Sequence, residues 1–565
     1  MKTKLFYLAI LLILIFPTFS FFLGDKMFTF NDETQIANLH HYFKTIDLGQ
    51  FPPRWATDMH FEYGSSFLGF NYQLPYYLGY LGHLGQLSDV VIFKLLLTFS
   101  VILGAIGMFV AGSVITGSAL FSLFAAVLYS YTPYQAIDHF VRGALGEVYA
   151  LALFPWIFLA GYTLIKKTNT TKIIVLGISV SLLILSHQPA ALVAAPLFAT
   201  IFLFSTICSK KTSAISPLLK STIIGLALSA YYWIPVIFER KYIVTGGPFN
   251  YLDQFPFIKQ LIYSPWSYQG ANPFSSDTFS FQIGLVNLAI LVFSLAYLFV
   301  HRSKKYKIDL NRWFFRFTLL STLVAIFLMN TRSNFIWERL SLLQAIQFPW
   351  RLLMFTTLFT PFLFLFTIST LPVKITRPTT IILLIVVIAI NIGYFRPGLI
   401  VERDDRYYNR IFLTREILSP GETISADYLN FSEDYAPLPK DAVRPKSLPL
   451  AKLTSMSVDT KIIITSSNPL LFKAKVENFV PETLTFHSFN YPGWEVVIDG
   501  YPTTIENNSI GAITFSLLPG KHLVSILFTE TPLRLFSNII SLSTLVVTSL
   551  YLGYQLIRRR VTPTT

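Results

Sequence analysis

Long apolar runs broken by short polar stretches dominate this chain; strict apolar–polar alternation is confined to a region near the C-terminus. About 20 residues at roughly 1.5 Å rise each cross a bilayer core of about 30 Å. The runs predict twelve transmembrane helices, at about 5–23, 91–111, 118–133, 147–165, 173–188, 190–207, 221–238, 284–301, 317–330, 351–371, 380–396 and 536–555. The first run ends in Phe16-Pro17-Thr18-Phe19-Ser20-Phe21-Phe22, which lacks a small-x-small cleavage pattern. It is therefore expected to stay as an uncleaved anchor rather than a removed signal peptide.

Three stretches are too polar or too broken to span. Residues 24–88 form a long loop with a turn at Phe51-Pro52-Pro53-Arg54-Trp55 and interfacial helices around Asn71 to Tyr77. Residues 239–283 are rich in Pro, Gly, Ser and aromatics. Residues 397–535 have ordinary polarity, and their later half alternates with period two at Leu471 to Val476 and Trp494 to Ile498. Asp499-Gly500 signals a hairpin turn and Pro519-Gly520 a second turn before His522 to Phe528. The predicted fold is mainly α: a polytopic membrane domain (1–396) with outer loops 24–88 and 239–283, a β-sandwich outside the membrane (397–535), and a last helix with a basic tail (536–565). No repeat of 20–50 residues suggests a solenoid.

Composition agrees. Hydrophobic residues make up 53% and charged residues 13%, against roughly 25% charged in soluble domains. The frequent Phe and Tyr suit lipid-facing surface and interfacial belts. Cys208 is the only cysteine, so no intrachain disulfide forms. The net charge of +14 does not point to nucleic acid, because of where it sits. Loops 1–4, 112–117, 166–172, 208–220, 302–316, 372–379 and 556–565 hold 19 Lys and Arg and one acid, Asp309; this net +18 leaves −4 for the rest. That is the positive-inside bias, which places these loops and both termini in the cytoplasm and makes this a multi-pass protein of the cytoplasmic membrane.

Several ionisable residues then fall on the opposite, outer face. Asp32 and Glu33 lie in Phe30-Asn31-Asp32-Glu33-Thr34-Gln35, about ten residues past the first run. A carboxylate there suits general-base removal of a hydroxyl proton, with its neighbour orienting the acceptor or a divalent cation. Asp32-x-x-Gln35 also reads as a helix cap. His139, Arg142 and Glu147 lie in a short loop entering the next span. Arg142 suits a lipid phosphate through its planar fork, and Glu147 would orient Arg142 or the acceptor; the bland alternative is an interfacial salt bridge. His187, between two spans, is either a helix cap or a donor to phosphate. Arg351, in Phe348-Pro349-Trp350-Arg351, runs against the charge bias, so it either binds phosphate or reaches lipid headgroups. Acids and bases gathered at one membrane face suit a substrate that is half lipid and half sugar. The chain contains no P-loop, His-Glu-x-x-His or Gly-x-Ser-x-Gly pattern.

The first outer loop, from Asn31-Asp32-Glu33-Thr34 through Pro53-Arg54-Trp55 to Tyr72-Gln73-Leu74-Pro75-Tyr76-Tyr77, resembles the bacterial membrane proteins called 6-pyruvoyl-tetrahydropterin synthase-related. Arg142-Gly143-Ala144 to Glu147, Ser186-His187 and Phe348-Pro349-Trp350-Arg351 fit the same pattern. Tyr491-Pro492-Gly493-Trp494, Asp499-Gly500 and Pro519-Gly520-Lys521-His522 are similar to the YfhO-like membrane glycosyltransferases. Both groups look like the GT-C superfamily. The resemblance implies an inverting transfer from a polyprenyl-phosphate sugar to an extracytoplasmic glycan, glycolipid or protein. Asp32 is then the base with Glu33 beside it. Arg142, Arg351, His139 and His187 hold the donor phosphate, Glu147 and Arg54 support them, and Trp494 stacks on acceptor glycan unless it is core. The resemblance leaves the need for a divalent cation open. The soluble pterin enzyme's metal-binding histidine cluster has no counterpart here, so no pterin chemistry is expected. The rival functions are a lipid or polysaccharide transporter or flippase, and a non-catalytic scaffold.

Overall fold

The computed structural model describes residues 2–244, 250–270, 279–300, 309–409 and 437–561. The basic stretch 302–307 and parts of the predicted regions 239–283 and 397–535 lie outside them. A helix stands at each of the twelve predicted positions. Six helices are long and apolar enough to cross a membrane, and up to eight if each of two bent pairs is one span. The other four, Lys4–Thr18, Ala119–Ser130, Thr170–Ser186 and Leu285–Val300, are shorter. The expected straight span 221–238 is bent by 71° where Thr212–Leu228 meets Ala230–Tyr242. Ser229 sits at this break and its Oγ donates to the Gly225 carbonyl at 2.9 Å, a back-bond that bends helices.

The helices are layered from core to rim. Pro349–Ile368 is wholly enclosed, whereas Val373–Tyr394 and Pro532–Arg558 are mostly exposed along their sides, as lipid-facing helices are. Phenylalanine is used inside as well as on the exposed helix sides. Phe158 stacks on Phe362 with ring centroids 3.8 Å apart, and Phe314 meets Phe158 edge-on. Apolar tails offer a helix the same solvation as another helix, so close ring packing is what holds the interior together.

The helix ends separate two faces. Lys211 donates to the Lys166 carbonyl, and Lys172 to the Thr163 and Lys167 carbonyls, so the lysines of two loops meet at one face. The 24–88 loop caps the other. Its strand Met27–Phe28 pairs antiparallel with Ile400–Val401, and its helix Thr34–Asp47 packs against Leu74–Leu84 and Asp89–Thr116.

The β region is a two-sheet sandwich. One sheet has the order Tyr501–Thr503, Trp494–Ile498, Gly520–Phe528, Leu471–Asn478, Lys461–Asn468; the other has Glu506–Asn507, Ala512–Leu517, Glu482–Phe489, Leu453–Ser455. Along Leu471–Asn478, Phe472, Ala474 and Val476 point into the core, while Leu471, Lys473 and Lys475 on the other face are exposed. The predicted hairpin is present: Ile498 pairs with Tyr501 across Asp499 and Gly500, both at positive φ. The sandwich is not a free appendage. Trp55, Phe61 and Tyr63 of the outer loop are buried in its core with Phe472, Phe486 and Phe515, and the Phe489 N–H donates to the Tyr63 carbonyl at 2.8 Å.

Candidate functional site

The 24–88 loop is docked onto the segment between Ala119–Ser130 and Leu145–Lys166. The Asn31 and Asp32 N–H groups donate to the Val141 and Arg142 carbonyls, each at 2.9 Å. That segment contains one π-helical turn, Ile137–Arg142, a form frequent at functional sites. Gly143 ends the turn at φ +63°, and a Cβ there would meet the Phe30 ring at 2.3 Å. At Gly146 a Cβ would meet the Tyr72 ring at 2.7 Å. These two glycines let the acidic loop and its aromatic neighbours lie directly on the Arg142–Glu147 stretch.

Glu147 is the hub. It is 1% exposed and accepts from Tyr134 Oη, from Arg142 Nη1 at 2.7 Å, and pairs with Arg351 Nε at 3.3 Å. Arg142 Nη1 also donates to Asp138 Oδ1 at 2.5 Å. Burial pushes Asp138 above the usual carboxylate range, with the charge of Glu147 adding to it against the pull of Arg142. Arg351 Nη1 donates to the Ile346 carbonyl at 2.9 Å and to Gln347 Oε1 at 2.7 Å. Both guanidinium groups lie over aromatic rings: Arg142 is 5.0 Å from the Trp350 centroid and Arg351 4.8 Å from that of Phe348. Arg142 Nε and Nη2 and Arg351 Nη2 have no hydrogen bond among the described residues, so each fork keeps donors for an anion.

Asp32 faces this cluster. Its half-buried carboxylate makes no hydrogen bond or ion pair among the described residues. Burial raises it above the ordinary carboxylate range; Arg142 and Arg351 pull it back and Glu147 raises it further. The capping alternative is not realised, since Thr34–Asp47 starts without a side-chain cap. Gln35 instead accepts from the hydroxyls of Tyr72 and Tyr76. His187 caps Gln188–Cys208, its Nδ1 accepting from the Ala190 N–H at 3.2 Å. Burial holds it near 3, against the pull of Glu147, so it is neutral and keeps an Nε2–H donor.

The structure thus brings Asp32, Arg142, Glu147, His187 and Arg351 together and places the other predicted residues elsewhere. Glu33 pairs with Arg403, whose guanidinium lies 4.0 Å from the Tyr407 ring centroid. His139 turns back to Ser100 Oγ at 2.9 Å and the Gln135 carbonyl at 2.7 Å. Arg54 is buried against the last helix, bonding Asn538 and the Tyr231 carbonyl at 3.0 Å each and Glu530 at 3.3 Å. Trp494 is 6% exposed, in the sandwich core beside Trp55 and Phe528. Asp138, Tyr134, Trp350 and Gln35 join the site without a prediction from the sequence. The four-residue spacing from Asp138 to Arg142 is the one local signal that points to any of them. Among the described residues no three His, Cys, Asp or Glu side chains group closely enough to hold a metal ion, and Asp32 and Glu33 turn to different surroundings.

The family model described as "6-pyruvoyl-tetrahydropterin synthase related domain; membrane protein" matches residues 70–397, more than half of the chain. The chain belongs to this family. The matched stretch carries the Arg142–Glu147 segment, His187 and Arg351, but begins after Asp32. No curated protein matches the chain. Among solved structures it is similar to the arabinofuranosyltransferase AftD from Mycobacteria, at 15% identity and a TM-score of 0.41, covering 69% of this chain and 26% of that one. It is also similar to ArnT from Cupriavidus metallidurans bound to undecaprenyl phosphate, at 11% identity and a TM-score of 0.43, covering 68% of this chain and 63% of that one. The chain therefore spans about a quarter of AftD and less than two thirds of ArnT.

Proposed function

We propose that this family member is a membrane glycosyltransferase that moves a sugar from a polyprenyl-phosphate donor to an acceptor outside the cytoplasmic membrane. The observation that carries this reading is the Asp32 carboxylate, unpartnered among the described residues and facing two arginines with spare donors. Asp32 takes the proton of the acceptor hydroxyl as that oxygen attacks the anomeric carbon. The new C–O bond forms on the face opposite the phosphate, so the configuration inverts. The old bond from carbon to phosphate oxygen breaks, and its electron pair leaves on the polyprenyl phosphate. Arg142 and Arg351 meet that charge in surroundings drier than water, where fixed donors count for more. Glu147 holds both guanidinium groups in place, and the His187 Nε2–H supplies a neutral donor.

The acceptor is a cell-envelope glycan, glycolipid or protein. The termini and lysine-rich loops face the cytoplasm in this reading. The test is label transfer: full-length protein in lipid nanodiscs, given radiolabelled polyprenyl-phosphate sugars and envelope extract, is expected to yield product of inverted configuration. Folded protein that transfers from no donor, yet moves labelled lipid across vesicles, would replace the enzyme with a flippase.

A further inference from the structure

A second recess lies away from this cluster, where the sandwich meets the membrane domain. It is a cleft of about 530 Å³ between the Lys241–Tyr242 segment, the Pro439–Ala442 segment and the edge of the sheet that starts at Trp494. Three aromatic residues are among those that line it: Tyr242, Tyr491 and Trp494. Tyr242 is 40% exposed, with the Lys241 ammonium 4.9 Å from its ring centroid, while Tyr491 and Trp494 are buried. Tyr491 is held in place, since its Oη donates to Glu239 at 3.2 Å and Glu239 is gripped by Arg534 Nε and Nη2 at 2.8 and 2.9 Å.

The polar lining has no surplus charge. Lys241 and Lys440 are matched by Asp441 and Glu495. Amides supply both donors and acceptors, with Asn490 Nδ2 donating to Asn507 Oδ1 at 2.9 Å at the rim. An exposed tyrosine ring, paired amides and balanced charge together suit an uncharged polyhydroxylated ligand. They suit a polyanion or a lipid tail poorly.

We infer that this cleft binds neutral glycan, through Tyr242, Asn490 and Asn507. Its role as an acceptor subsite rests on the glycosyltransferase reading; the binding itself does not. The loop that carries Asp32 also supplies Trp55 and Tyr63 to the sandwich core.

The experiment is calorimetric titration of the full-length protein in nanodiscs with maltohexaose, mannohexaose, arabinohexaose and chitohexaose, with hexagalacturonate as the anionic control. At least one neutral hexasaccharide is expected to bind saturably. Tyr242→Ala and Asn507→Ala, both at exposed positions, are each expected to weaken it about tenfold. Asp32→Asn is expected to leave it unchanged. Binding by none of the neutral sugars, tighter binding of hexagalacturonate, or indifference to both exposed substitutions would overturn the inference. Wild type that binds a neutral sugar but transfers none would count against the glycosyltransferase reading alone.

Discussion

Replacing Glu147 by Gln keeps the shape of the hub and removes its charge. The two arginines do not feel this equally. Arg142 retains Asp138 at 2.5 Å, whereas Glu147 is the one carboxylate within ion-pairing distance of Arg351 among the described residues. Most of the cost therefore falls on Arg351, which is 7% exposed and keeps only the neutral acceptors Ile346 and Gln347. Breaking a buried pair by removing one partner costs about 3–5 kcal/mol. The retained contacts put Glu147→Gln at about 3 kcal/mol, the lower end of that range. Arg351→Met removes the orphaned charge, so the double variant is expected to recover part of the loss, with a coupling of about 1–3 kcal/mol. Equilibrium unfolding of the four-member cycle in lipid–detergent micelles measures both numbers. A loss under about 1 kcal/mol for Glu147→Gln, or strict additivity in the double variant, would refute the hub.

Three other outcomes follow from the same geometry. The base must be ionised and burial raises Asp32, so transfer is expected to fall with decreasing pH at a higher pH than an ordinary carboxylate would give; Arg351→Met removes a cation that lowers Asp32, and should move this acid limb further up. Glu33→Gln breaks a partly exposed pair with Arg403, so it is expected to cost under about 1 kcal/mol of stability and to change transfer by only a few fold, read by unfolding and rate assays. Glu239→Gln breaks the buried two-point contact with Arg534 and is expected to cost about 3–5 kcal/mol, with faster proteolysis of the 437–531 region than in wild type.

The membrane helices were legible because solvation by lipid leaves a simple mark, the long apolar run. Their lengths were less so. Ala119–Ser130 is enclosed by other helices, and an enclosed helix need not match the bilayer thickness. The Asp32, Arg142, Glu147, His187 and Arg351 cluster was legible because charges at the ends of apolar runs are costly unless paired or used. Asp32 and Glu33 are adjacent in sequence, yet they part company through Arg403, 370 residues from Glu33, and no local pattern reports such a contact. His139 reads like its neighbour Arg142, but the π-turn sends its ring toward Ser100. Arg54 sits in a turn that marks the docking of loop, sandwich and last helix, which only the tertiary structure brings together.

The central claim is that Asp32 is the base. The most direct measurement compares sugar transfer by wild type and Asp32→Asn, with undecaprenyl phosphate binding followed in the same samples. The account predicts a loss of about 10²–10⁴-fold in transfer, with lipid binding and unfolding midpoint kept. Equal transfer by the two proteins would contradict it and take Asp32 out of the reaction.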